Sequence, residues 1–207
     1  MKTHTHTYDL PDHITFNTSV AIDTEAMGLK NYRDRLCLVQ LSQGDGECHL
    51  IHFPEPYFHA SHNLKKLLTN SSVQKIFHYA RFDVAILMHT FQLNLQNIYC
   101  TKIASKLSRT YCHRHGLKDL CKELLNIDLS KQEQTSDWGA EILSPDQIKY
   151  AATDVLHLHK LKEKLDSLLE RENRREIAQA CFDFLPYRAQ MDLWGGEAYD
   201  VLSYSSQ

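Results

Sequence analysis

The apolar residues of this chain change their spacing at Phe82, and that change restricts it to a small set of architectures. Before it lie short runs rich in β-branched and aromatic residues: ITFN, VAIDTEA, RLCLVQLS and ECHLIHF, with Gly-Asp-Gly at 44–46 as a hairpin signal. A helix around SHNLKKLLTNS and a short apolar strand, VQKIFHY, come next. From Phe82 onward apolar residues recur three and four apart, in FDVAILMHTF, TKIASKL, GLKDLCKELLN and a long stretch from Pro145 to about Ala189. That last stretch opens on Ser144-Pro145-Asp146-Gln147, with a Ser cap, Pro at the first position and Gln three residues after the cap. Asn173 marks a break in it, and LWGGEAYDVLSYSSQ reads as an extended tail. A meander, then a helix and a strand, then helices, predicts an α/β fold with a mixed sheet flanked by helices. No composition shift marks a boundary, so one domain over 1–207 is expected, with a motif-bearing core at about 14–170 and a C-terminal helix and tail at about 171–207.

The chain has 207 residues, 43% hydrophobic and 24% charged, enough to bury a sizeable core. No apolar run is long enough to span a bilayer, and MKTHTHTYDLPDH lacks the apolar stretch of a secretory signal. The six cysteines contain no CxxC pair, which fits reduced thiols in a cytoplasm, with no membrane partner expected. The formal net charge of −3 argues against a broad grip on a long polyanion, although divalent metals would add positive charge locally. Thirteen histidines include HTH near the start, HRH at 113–115 and HLH at 157–159. On a helix, His-x-His does not put both rings on one face, so these read as surface or packing residues and no zinc site is expected. Cys112, His113, His115 and Cys121 match no common zinc spacing.

Two acids stand one residue apart in VAIDTEA. In a strand, residues i and i+2 share a face, so Asp23 and Glu25 converge. Like charges at that distance raise each other's pKa unless a cation lies between them, and hard oxygen ligands suit Mg²⁺ or Mn²⁺. Asp83 follows the strand VQKIFHY at the start of a helix, where a cap or first-turn acid is common. Tyr150 and Asp154 are four apart and share a helix face, yet Ala151, Ala152 and Val155 surround them with small apolar groups. A buried unpaired carboxylate is costly, and a metal shared with Asp23 and Glu25 would remove that cost.

Asp23-x-Glu25, Asp83 and Tyr150-x-x-x-Asp154 together resemble the three exonuclease motifs of the DEDD superfamily, in its tyrosine-bearing branch. HYARFD, LSKQEQTSDW and YAATDVLHLHKL resemble ribonuclease D over about Val20 to Leu165. NYRDRLCLVQLS, YCTKIASKLSRTY, HRHGLKDL and AQACFDFLP resemble the nano-RNase C family of short ribonuclease-D-like enzymes over nearly the whole chain. The resemblance implies a ribonuclease-H-like fold, two divalent cations per active site and 3′–5′ hydrolysis of very short RNA, above all dinucleotides. It also implies a homo-oligomeric ring, an octamer.

By the same resemblance, Asp23 bridges the two ions, Glu25 and Asp154 complete the site that binds the attacking water, Asp83 holds the second ion through water, and Tyr150 positions the nucleophile. The expected substrate contacts are Thr24, Gly28, Leu29, His78, Arg109, Arg114 and Lys131, with Thr110 and Lys118 beside them as candidates for a 5′ phosphate. Leu29 takes the place of a leucine that wedges between two bases in oligoribonucleases. Trp138, in a polar loop with Gln134, Ser136 and Asp137, is either a base-stacking platform or a packing anchor. Two other readings compete: a broader ribonuclease-D-like exonuclease on longer RNA or DNA ends, and a catalytically inactive nucleic-acid-binding protein. The presence of all four acids and the tyrosine weighs against the second.

Overall fold

Strand formation begins earlier than the apolar pattern indicates. The computed structural model describes residues 2–129, 136–195 and 201–202. Its first strand, β1 (Lys2–Thr7), is the sequence KTHTHT. ITFN, expected as a strand, is instead irregular chain leading into β2 (Ser19–Ala26). The meander continues through β3 (Leu36–Ser42) and β4 (Glu47–His52). Gly44 and Gly46 turn between them at φ +83° and +91°, and a Cβ on Gly44 would also meet His159 at 2.8 Å.

After β4 come α1 (His62–Thr69), β5 (Gln74–Phe77), α2 (Arg81–Phe91), β6 (Ile98–Cys100) and α3 (Thr101–Ser108). The short α4 (Leu117–Leu120) runs into a π-helical turn at Cys121–Leu125. The long helical stretch is three helices: α5 (Pro145–Leu156), α6 (Leu158–Arg171) and α7 (Arg175–Gly195). Asn173 marks one break, in the left-handed region at φ 53°. The other falls at His157, which the apolar spacing passes over. The Ser144 cap forms as expected: its hydroxyl accepts from the Gln147 N–H at 3.2 Å, and Gln147 Oε1 accepts from the Ser144 N–H at 2.8 Å.

The six strands form one mixed sheet in the order β1-β4-β3-β2-β5-β6. β3 is antiparallel to both β2 and β4, while β1–β4, β2–β5 and β5–β6 are parallel. Every residue of β3 is buried, as expected of a strand covered on both faces. Helix α5 packs across β2, β3 and β4, and α7 packs on α2. Arg81 at the start of α2 grips Asp192 of α7 through Nε at 2.6 Å and Nη2 at 2.7 Å. Helix α7 thus continues past Pro186 into the stretch expected to be an extended tail. Among the described residues no helix is long and apolar enough to cross a membrane.

Candidate active site

Strand β2 delivers the first two acids. Asp23 pairs in register with Gln40, and Glu25 with Leu38. Helix α5 lies across that strand because Ala151, Ala152 and Val155 are wholly buried, and their small size lets its backbone approach the sheet. Asp154, on the same helix, then faces β2. Carboxylate oxygens of Asp23, Glu25 and Asp154 all lie within 4.8 Å of one another. Among the described residues this is the one group of three metal-ligating side chains so disposed.

Three carboxylates at this spacing inside a protein cannot all stay charged without compensation. Burial raises Asp23 well above the usual carboxylate range, and Asp83, Asp154 and Glu25 raise it further. Burial, then Asp154 and Asp83, push Glu25 up to about 9. Burial lifts Asp154 to about 7, partly offset by a hydrogen bond from Tyr150. A hard divalent cation would stabilise the charged forms, and an all-oxygen donor set is the kind that Mg²⁺ and Mn²⁺ take. The residues therefore fit such an ion.

Asp83 stands apart from this triad. It occupies the first turn of α2 and is 4% exposed, and the Thr24 hydroxyl donates to its Oδ1 at 2.7 Å. Burial still raises it to about 7, with the Thr24 bond acting in the other direction. The four acids thus divide into a cluster of three and a single carboxylate fixed from the strand between them.

Tyr150 is partly buried, and its ring tilts toward Trp138 at 6.1 Å between centroids. Burial and the acids beside it raise the phenol, so it stays protonated and acts as a hydrogen-bond donor. Trp138 is 3% exposed, which makes it a packing anchor against Tyr150 and not an open platform. Gln40 is a site residue that the sequence reading missed. Its amide donates to Asp23 Oδ2 at 3.4 Å, and it is wholly buried in a strand whose only other polar side chain is Ser42. An amide inside LCLVQLS was the available signal.

His78 follows β5. The Thr101 hydroxyl gives its one proton to the Phe77 carbonyl at 3.1 Å, so His78 Nδ1, at 2.9 Å from that hydroxyl, must be the donor. Nε2 is then the lone-pair nitrogen. Burial, with Lys102 nearby, pushes the ring down to about 3, so it is neutral at working pH.

Leu29 is 84% exposed near the start of the loop that joins β2 to β3. Gly28 is required by the approach of Asp34, since a Cβ there would lie 2.2 Å from Asp34 Oδ2. Asp34 in turn accepts from the Lys30 N–H at 2.9 Å, so Gly28 shapes the loop that presents Leu29. Arg109 departs from the expectation of a phosphate contact. It is fully buried, and its guanidinium is committed to Glu123, to the Ser105 hydroxyl at 2.9 Å and to the Arg114 carbonyl at 3.0 Å. It braces the segment that carries Arg114, whereas Thr110, Arg114 and Lys118 are exposed. Lys131 and Gln134 lie outside the described residues.

Comparison with known proteins follows the same lines. A family model described as 3′–5′ exonuclease matches residues 5–170. The Mg²⁺-bound structure of Brucella melitensis NrnC is similar at 49% identity, with a TM-score of 0.93, over 99% of this chain and 100% of that one. The structure of Brucella melitensis NrnC bound to pGG is similar at 50% identity and a TM-score of 0.94, with the same coverage. Ribonuclease D of Gluconacetobacter diazotrophicus is 35% identical over 155 residues, which are 75% of this chain but 39% of that protein. The chain thus spans less than half the length of the curated ribonuclease D relatives it matches.

Proposed function

The chain belongs to the 3′–5′ exonuclease family, and from that premise we propose that it hydrolyses very short RNA, dinucleotides above all, to nucleoside monophosphates. One observation carries this reading: full-length similarity, at 50% identity, to a protein whose structure holds pGG.

We assign the hydrolytic centre to Asp23, Glu25, Asp83 and Asp154. The cluster of three would hold one divalent cation, Mg²⁺ or Mn²⁺, and Asp83 a second with a share of Asp23, since Asp83 stands outside the cluster. Such ions supply an activated water and stabilise charge on the phosphoryl and leaving oxygens. Tyr150, kept protonated by its surroundings, orients the attacking water by a hydrogen bond and does not remove its proton. The lone pair of His78 Nε2 is disposed to accept a hydrogen bond from a sugar hydroxyl, because Nδ1 is already committed to Thr101. Gln40 fixes the rotamer of Asp23. Leu29, exposed beside the acids in sequence, is assigned to separate the two bases.

Self-association is part of the proposal. Phe184, Tyr187 and Trp194 leave apolar rings exposed along α7, with Trp194 at 90%. Phe182 and Leu185 of the same helix face inward, and Phe182 packs on Tyr99 at 4.6 Å. The proposed assembly is a homo-oligomer, an octameric ring.

The test is a length series. The purified protein receives 5′-labelled RNA of two, three, seven and twenty nucleotides with Mg²⁺, Mn²⁺ or EDTA. Metal-dependent cleavage strongly favouring the two-mer is expected. Even cleavage across lengths would point to a general exonuclease, and no cleavage with either metal would refute the reading.

A further inference from the structure

A second group of titratable side chains, outside the carboxylate centre, lies at the β1 edge of the sheet. On a strand His-x-His does place both rings on one face, and HTH falls in β1. His4 pairs in register with His49 of β4, so a third ring joins that face. His6 Nε2 and His49 Nδ1 are 3.1 Å apart, and the two ring planes are nearly parallel at 17°. His4 stacks on His49 with centroids 5.0 Å apart, and its Nε2 lies 3.0 Å from Glu47 Oε2. The group lines a cavity of about 380 Å³, which His13 and Asp45 also border.

This face is not that of the candidate active site. Asp23, Gln40, Leu50 and Thr5 are successive register partners and share one side of the sheet. His4, His6 and His49 alternate with them and lie on the other.

We propose that His4, His6 and His49 form a second metal site, suited to a borderline divalent ion such as Zn²⁺, Ni²⁺ or Co²⁺ and distinct from the carboxylate centre. Imidazole nitrogen suits these ions, whereas carboxylate oxygen suits Mg²⁺ and Mn²⁺. With metal–nitrogen bonds of about 2.0–2.1 Å, tetrahedral ligands sit only slightly further apart than the His6–His49 pair. Those nitrogens now share one hydrogen bond. On metal binding the donating ring moves its proton to its other nitrogen, and both lone pairs turn to the ion. The His4 nitrogens do not lie with that pair in the metal-free arrangement, so His4 would have to rotate to supply the third ligand, with water as the fourth. Glu47 accepts from the remaining His4 N–H, the carboxylate–histidine arrangement that orients metal-binding imidazoles. Burial and the neighbouring imidazoles lower His6 and His49, which favours the neutral form that binds metal. The ion would clip the edge strand β1 onto β4.

The experiment is a Co²⁺ titration of the full-length untagged protein, followed by visible absorption. Tetrahedral nitrogen ligation absorbs much more strongly than octahedral carboxylate ligation. An intense band is expected in the wild type and in Asp154→Asn. Binding should weaken by about tenfold or more in His6→Gln and in His49→Gln, and by about tenfold in Glu47→Gln. The His variants should keep the far-ultraviolet circular dichroism and the nuclease activity of the wild type. No intense band in the wild type, an unchanged band in both His variants, or loss of the band in Asp154→Asn would overturn the proposal. Should one His variant not fold, the other decides.

Discussion

Thr24 donates its hydroxyl proton to Asp83 Oδ1 at 2.7 Å, tying the strand that carries Asp23 and Glu25 to the helix that carries the fourth acid. The residue between the paired acids thereby sets where Asp83 points. Thr24→Val keeps the shape and removes the donor, leaving a buried carboxylate one partner short. The expected stability loss is about 1–3 kcal/mol in a urea melt. Turnover of a dinucleotide should fall about tenfold, while Thr24→Ser should retain most of both.

The buried acids oppose folding when no cation is bound. Asp154→Asn should therefore abolish turnover and at the same time raise the melting temperature in EDTA. Differential scanning calorimetry with and without Mg²⁺ checks both halves. A mutant that is both inactive and less stable in EDTA would count against like-charge crowding at this site.

The same groups give a pH dependence of definite sign. Glu25 is raised from its ordinary 4.5 to about 9, and Asp83 and Asp154 from 3.8 to about 7. Between the ordinary and the raised values the folded chain holds more protons than the unfolded one, so stability falls as pH rises through that window. Melts in EDTA should lose stability steadily from about pH 5 to about pH 9, and saturating Mg²⁺ or Mn²⁺ should flatten the slope.

His78 is pushed down to about 3 and donates through Nδ1 to Thr101. Its ring resonances should not titrate in NMR spectra recorded between about pH 5 and about pH 8. His78→Ala should weaken dinucleotide turnover by about tenfold to a hundredfold, and a substrate lacking the sugar hydroxyl it contacts should lose much less in the mutant than in the wild type.

Much of the site was legible because its motifs are local. Two acids at i and i+2 on a strand, and a tyrosine and an acid at i and i+4 on a helix, converge whatever the rest of the fold does. What escaped the sequence depends on partners far along the chain. β1 carries no apolar face, since its alternation is of threonine with lysine and histidine, and its pairing with β4 is what makes it a strand. Arg109 looks like a surface cation until Glu123 turns it inward. Gln40 acquires a role only once β3 lies beside Asp23. Helix α7 runs on through Pro186 because Arg81 of α2 and Arg188 of its own previous turn both hold Asp192 near its end.

If the centre takes substrates two nucleotides long, longer RNA should compete poorly for it. The most direct measurement is hydrolysis of labelled pGG in Mg²⁺ with a large excess of unlabelled twenty-nucleotide RNA. Almost unchanged release of nucleoside monophosphate is expected, with no release from Asp23→Asn. Strong competition by the long RNA, or activity surviving in Asp23→Asn, would contradict it.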